Sequence, residues 1–249
     1  MIILKSLAEI EKIRRAGRLA SACLDFLSAR IVPGVTTGEL NDLSEEFVRA
    51  HGGRSAPLGY RGFPKSICVA VNDEVVHGIP GPRILHTGDI VTVDVTVILD
   101  GYHGDTARTY VLPPISPLAQ RLVDATYKSL FIGIESAQPG KRLGDVGWAV
   151  QSFIESHGFS VVRDYVGHGL GQAFHEDPQV PHYGAPGTGV LLRPGMVFTI
   201  EPMINAGTFA VRTLADGWTV ITLDGSLSAQ FEHTIAITAE GPIILTDGS

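Results

Sequence analysis

The sequence predicts an α+β fold made of two similar halves, about residues 7–112 and about 113–245, within one domain spanning 1–249. Two observations predict it. Each half reads helix, helix, then strands. And Leu24, Pro33, Gly34, Gly38, Phe47, His51 and Gly52 recur identically 106 positions later, as Leu130, Pro139, Gly140, Gly144, Phe153, His157 and Gly158. Glu39 and Asp145 match in kind. Leu85–Asp94 resembles Leu192–Glu201 at an offset of 107, and His77-Gly78-Ile79-Pro80 echoes His175-Glu176-Asp177-Pro178 at a shorter one. Helix breakers such as Pro-Gly recur by chance, but a nearly constant offset from Leu24 to Asp94 favours duplication. Two such halves would pack about a pseudo-twofold axis. Asp94 and Glu201 would then sit in equivalent positions near that axis, where two acids suggest a shared metal site.

The elements follow in order. Ser6-Leu7-Ala8-Glu9 reads as a capping box, and Ile10, Ile13, Ala16, Ala20, Leu24, Leu27 and Ile31 recur behind it at helical spacing. Pro33-Gly34 breaks that helix. Thr36 and Glu39 form a second capping box, continued by Leu40, Leu43 and Phe47 and ended by His51-Gly52-Gly53. Ile67–Val71 and Asp89–Leu99 read as strands. Asp100-Gly101 is a hairpin signal, and Tyr102–Leu112 runs back. Ser116-Pro117 opens a third helix through Leu122, Val123 and Leu130, ended by Pro139-Gly140. A fourth runs from Leu143 to His157 and stops at Gly158. Most of the remainder reads as strand.

Bulk properties narrow the function. Forty-four per cent hydrophobic residues can supply a sizeable core, and 249 residues suit one large domain. A net charge of −7 argues against a dedicated nucleic-acid binder. Cys23 and Cys68 form no CxxC pair, which fits a reducing cytosol rather than a disulfide or zinc-finger framework. No secretory signal is expected from Met1–Lys5, and no apolar run is long enough to span a membrane. A cytoplasmic location follows as an expectation.

The acids carry the chemistry. Asp94 lies inside the apolar run Ile90–Ile98, where a carboxylate is expensive unless paired or metal-bound. The Asp100-Gly101 turn sets Asp105 opposite Thr96. It becomes a diagonal neighbour of Asp94 on one face, about 7–8 Å away in backbone terms. Taken alone, Asp105 reads more readily as a cap of Gly104-Asp105-Thr106. Glu201 ends the apolar run Val197–Ile200, and Pro202 stops ladder pairing after it. Glu232 sits in the strand-like run Ala229–Ile235, where a lone glutamate would usually face solvent. His168 is flanked by Gly167 and Gly169, which allow close backbone approach. Taken singly, such a histidine is more often structural. Together, four carboxylates and one imidazole suit a pair of divalent ions with bridging carboxylates. Four negative charges balance two divalent cations; without metal, the acids would repel and some would protonate.

The chain closely resembles the type I methionine aminopeptidases, the single-domain bacterial kind. The matching stretches are Lys65–Cys68, His77–Pro80, Asp94–Val97, His103–Thr106, Gly167–Gly171, Phe174–Pro178, Thr199–Met203 and Ser228–Thr234, and the likeness extends from about residue 5 to about 245. The resemblance implies the pita-bread fold, a curved antiparallel sheet backed by helices from two related halves. It implies that Asp94, Asp105, His168, Glu201 and Glu232 hold two divalent metal ions, with Asp105 and Glu232 bridging. The donor set suits cobalt, manganese, iron or zinc in different degrees, and the sequence does not choose among them. It also implies attack by a metal-bridging hydroxide, proton transfer through Glu201, hydrogen bonding of the tetrahedral intermediate by His175, and contact of His77 with the neighbouring amide.

Further family positions carry over to the substrate. Tyr60, Phe63, Cys68, Phe174 and Trp218 would form an apolar pocket for the methionine thioether, alongside His77 and His175. Phe63 stands where relatives often have tyrosine, and Pro57 where some have cysteine. The implied substrate is the N-terminal methionine of nascent polypeptides whose second residue is small. The implied setting is a cytoplasmic monomer in transient contact with the ribosome. Two rivals remain. A proline-directed pita-bread peptidase usually carries a large extra N-terminal domain. A non-catalytic relative that binds peptide or RNA would lack metal ligands, whereas all five are present here.

Overall fold

The computed structural model describes residues 1–248; Ser249, the last residue of the expected domain, lies outside the described residues. Helix α1 spans Leu7–Ser28 and α2 spans Thr37–Ala50, each opened by the capping box read from the sequence. In both boxes the cap hydroxyl accepts the backbone N–H three residues on, and the glutamate there accepts the cap's own N–H. Such caps satisfy donors that the first turn leaves unpaired. Helix α3 spans Pro117–Ser136 and α4 spans Leu143–Ser156. Proline at the start of α3 loses nothing, because that N–H has no helical partner.

The strands form two main sheets, all antiparallel. In the first, Ile90–Leu99 pairs with Arg54–Ser55, Cys68–Val71 and the hairpin return Tyr102–Val111. In the second the order is Pro242–Ile244, His233–Ile237, Val197–Ile200, Gly167–Gly169, Glu176–Val180. Helices α1 and α2 bury Leu24, Leu27 and Leu40 against Val91, Val93 and Val97 of the first sheet. Helices α3 and α4 bury Leu122, Leu130 and Val150 against Phe198, Ile200 and Ile235 of the second. Each fully buried aliphatic side chain contributes roughly 1.5–3 kcal/mol to this two-layer packing. Helix α1 meets the first sheet at glycine: a Cβ on Gly104 would lie 2.1 Å from the Gly17 nitrogen.

Local geometry repeats across the halves. Leu85 N–H donates to Val35 C=O at 2.8 Å, and Leu192 N–H to Lys141 C=O at 2.8 Å. Gly34 and Gly140 donate to Leu85 and Leu192 at 2.8 and 2.9 Å. The His51 ring nitrogen Nδ1 bonds Phe47 C=O and that of His157 bonds Phe153 C=O, both at 2.8 Å.

The first sheet meets the second, and the neighbouring strand Ser228–Gln230, along a seam of threonines. Thr109 Oγ1 donates to Gln230 C=O and Thr106 Oγ1 to Glu232 C=O, each at 2.7 Å. Thr234 Oγ1 donates to Asp105 C=O at 2.8 Å, and Glu232 N–H to Ala107 C=O at 2.9 Å. Two readings change here. The run Ala229–Ile235 is not one strand: it divides into Ser228–Gln230 and His233–Ile237, with Phe231 and Glu232 in the break. Asp105 does not cap a turn. It lies mid-strand opposite Thr96, 3% exposed, and accepts the Thr96 hydroxyl at 2.7 Å.

Candidate metal centre

The seam sets the site. Asp94 and Asp105 come from adjacent strands of one sheet, while His168 comes from a strand of the other, Glu201 from just past the end of its Val197–Ile200 strand, and Glu232 from the break between strands. Asp105, His168 and Glu232 present ligand atoms that all lie within 4.8 Å of one another. His168 Nε2 stands 3.5 Å from Asp105 Oδ2 and 3.8 Å from Glu201 Oε1. Thr199 donates to Glu201 Oε1 at 2.6 Å and Gln230 to Oε2 at 3.2 Å. Asp94 Oδ1 is buried with no hydrogen-bond partner.

The electrostatics are those of an acid cluster. Burial pushes the Asp94 carboxyl well above the usual carboxylate range, and the charges of Asp105 and Glu201 push it further. Glu232 is raised well up by burial and by Asp105, Glu201 and Asp94. Burial raises Glu201 to about 7, against the His168 cation and the Thr199 hydroxyl. Burial alone would lower His168, but its Asp105 hydrogen bond and the Glu201 charge outweigh that and raise it. A buried carboxylate oxygen lacking a donor and three acids that resist ionisation are what cations relieve. The donor set of carboxylate oxygens and one imidazole fits hard to borderline divalent ions.

The centre opens into a cavity of about 400 Å³. Its lining includes all twelve side chains singled out from the sequence: Tyr60, Phe63, Cys68, His77, Asp94, Asp105, His168, Phe174, His175, Glu201, Trp218 and Glu232. Two aromatic groups form its walls. Phe63 and His77 meet Trp218 edge-on, with centroids 5.1 and 6.1 Å away, and Tyr165 packs on His77 at 5.5 Å. In the other group Tyr60 packs on Phe174 at 4.9 Å and His175 at 5.3 Å, and His175 lies 4.1 Å from the His168 ring. Burial and the His168 charge depress His77 to about 4 and His175 to about 3, so both rings are neutral near pH 7. His77 has φ of 58°, a left-handed backbone that costs a non-glycine residue. A Cβ on the next residue, Gly78, would lie 2.2 Å from Val69 C=O, so only glycine lets that turn press against the strand.

Several contributors escaped sequence reasoning. Met203, Tyr165 and Gln179 line the cavity. Strand alternation could have revealed Thr199, two residues before Glu201 on the same face. His182 gave no signal. It is 1% exposed, its Nε2 accepts the Glu201 N–H at 2.9 Å, and its Nδ1 has no partner.

The model of metallopeptidase family M24 matches residues 11–239. The chain belongs to that family. Among its relatives there, the methionine aminopeptidase A of Synechocystis sp. is 58% identical over 99% of this chain and 98% of its own length. The crystal structure of methionine aminopeptidase from Rickettsia prowazekii superposes with a TM-score of 0.97 at 51% identity, covering 99% of this chain and 100% of that one. An Xaa-Pro dipeptidase from Bacillus anthracis superposes at 0.78 with 24% identity, covering 99% of this chain and 62% of that one. This last likeness shows the shared pita-bread fold alone. Membership in a metallopeptidase family makes divalent metal the cofactor of this M24 chain.

Proposed function

We propose that this chain removes the N-terminal methionine from polypeptides whose second residue is small, with Asp94, Asp105, His168, Glu201 and Glu232 holding two divalent ions. One observation carries the reading: four acids and a histidine line one cavity together with aromatic and sulfur side chains, and Asp105, His168 and Glu232 among them present ligand atoms within 4.8 Å of one another. The fourfold carboxylate charge supports two ions rather than one. Manganese, iron, cobalt and zinc all suit the donors.

When bound, such ions supply an acidified water and a Lewis-acid contact for the scissile carbonyl. The protein does the rest. Glu201 is held at both oxygens by Thr199 and Gln230, which places its carboxylate to take a proton from the attacking water and pass it to the leaving amine. His175, neutral and beside His168, donates an N–H to the oxygen that gains charge as the carbonyl carbon becomes tetrahedral. His77 donates to the amide next to the scissile bond. Tyr60, Phe63, Cys68, Phe174 and Trp218 receive the methionine side chain, joined by Met203. The Phe63 ring edge against Trp218 keeps the wall that a tyrosine would otherwise make. Among the described residues, no helix is long and apolar enough to cross a membrane. We further infer one catalytic domain over 1–249, duplicated as about 7–112 and about 113–245. It acts as a cytoplasmic monomer that meets nascent chains transiently at the ribosome. The paired hydrogen bonds at Val35 and Lys141 support the duplication.

The test is metal analysis combined with hydrolysis of a Met-Ala-Ser peptide. The expected outcome is two divalent ions per chain and release of free methionine. A preference for bonds next to proline would make it a proline-directed peptidase, and absence of both metal and hydrolysis would leave a non-catalytic scaffold.

A further inference from the structure

The turn over residues 171–176 carries both Phe174 and His175, and it is tied down from behind. Gly171 C=O accepts two bonds from His103, from the backbone N–H at 2.8 Å and from Nδ1–H at 3.0 Å. At the other end Glu176 Oε1 accepts Ala173 N–H at 3.2 Å. Its other oxygen, Oε2, meets the ammonium of Lys5 at 2.5 Å. The two side chains are only 4% and 10% exposed. Lys5 is itself anchored, its N–H donating to Gly195 C=O at 2.7 Å. A Cβ on Gly171 would stand 2.5 Å from Lys5 Nζ and 2.8 Å from Glu176 Oε1, so the ion pair packs directly against the Gly171 backbone.

Burying an ammonium and a carboxylate together is a poor route to stability, because desolvation offsets most of their attraction. What such a pair does supply is a strong, directional tether in a medium of low dielectric. We propose that Lys5 is a positioning residue for the peptidase reaction: through Glu176 it fixes the 171–176 turn and so sets where the Phe174 and His175 rings stand over the acid cluster. The inference rests on the functional reading above, in which His175 acts on the substrate. Lys5 touches neither the substrate nor the reacting atoms; it acts through the turn.

The test uses the full metal-loaded chain and the neutral peptide Met-Ala-Ser. Lys5→Met and Glu176→Gln should each lower kcat roughly ten- to hundredfold, as small misplacements of a reacting group do. Metal content should stay within about twofold, KM should rise less than kcat falls because Phe174 is one of several pocket walls, and Lys5→Arg should recover most of kcat. In a His175→Ala background, Lys5→Met should cost less than about twofold more, because residues acting through one group are not additive. If Lys5→Met fails to fold, Glu176→Gln carries the same test. The proposal is overturned if both variants turn over within twofold of the parent, or if Lys5→Met costs as much without His175 as with it. A parent chain that does not cleave the peptide overturns the functional reading instead.

Discussion

Glu201 shows how three neighbours can prepare one side chain. Its two oxygens accept from Thr199 and Gln230, and its backbone N–H is taken by His182 rather than by a sheet partner. The side chain is therefore placed before any ligand arrives. Replacing it by glutamine keeps the shape and the oxygen donor but removes the proton carrier. Glu201→Gln should retain much of the bound metal and lose on the order of 10²-fold or more in kcat. Elemental analysis and steady-state kinetics on one preparation check this; near-normal turnover would show that the proton travels another way. The two thiols are held from reaction. Burial pushes Cys23 up to about 11, and burial with the charges of Asp94, Asp105 and Glu232 raises Cys68 well above the ordinary thiol range.

Helices and strands impose tighter limits than the side chains do. Where α1 crosses the Tyr102–Val111 strand, Gly104 and Gly17 bring two backbones together, and Gly17 has its own conflict, since a Cβ there would lie 2.5 Å from Leu245 C=O. These obstacles are backbone, so they cannot swing aside. Gly104→Ala should destabilise by about 3 kcal/mol or more, or prevent folding, and thermal unfolding of the purified variant measures it. By contrast Ser6→Ala removes a cap at an exposed helix start, and should cost about 1 kcal/mol. Two glycine contacts of one element thus matter more than its most legible sequence motif.

At the scale of the whole molecule the acid cluster couples metal to folding. Without metal, Asp94, Glu201 and Glu232 hold protons more tightly than they do in the unfolded chain. Between about pH 4.5 and 7 the folded state then binds more protons, so this part of the stability falls as pH rises. The buried His77, His175, His182 and His233 act in the opposite sense. Burial pushes them down to about 4, 3, 3 and 4, and the stability they contribute is lost as pH falls. Ions displace the carboxylate protons and leave that opposing term in place. The rise in Tm on metal loading should therefore grow from about pH 5 to about pH 8. Calorimetry with and without a chelator checks it, and a rise that shrinks with pH would sink the argument.

The sequence by itself determined the local elements, because their causes are local. Capping boxes at Ser6 and Thr36, the proline opening α3 and the turn at Asp100-Gly101 all lie within a few residues of what they control. That same turn set Asp105 opposite Thr96 in advance. Only the tertiary structure decided that Asp105 and Glu232, both ambiguous when read alone, are buried side by side. Their bonds cross the seam to Thr234 and Ala107, residues more than a hundred positions distant. His182 behind Glu201 and Lys5 behind Glu176 were invisible for the same reason. No periodicity records a partner that distant, since it is the packing of the two sheets that brings the groups together.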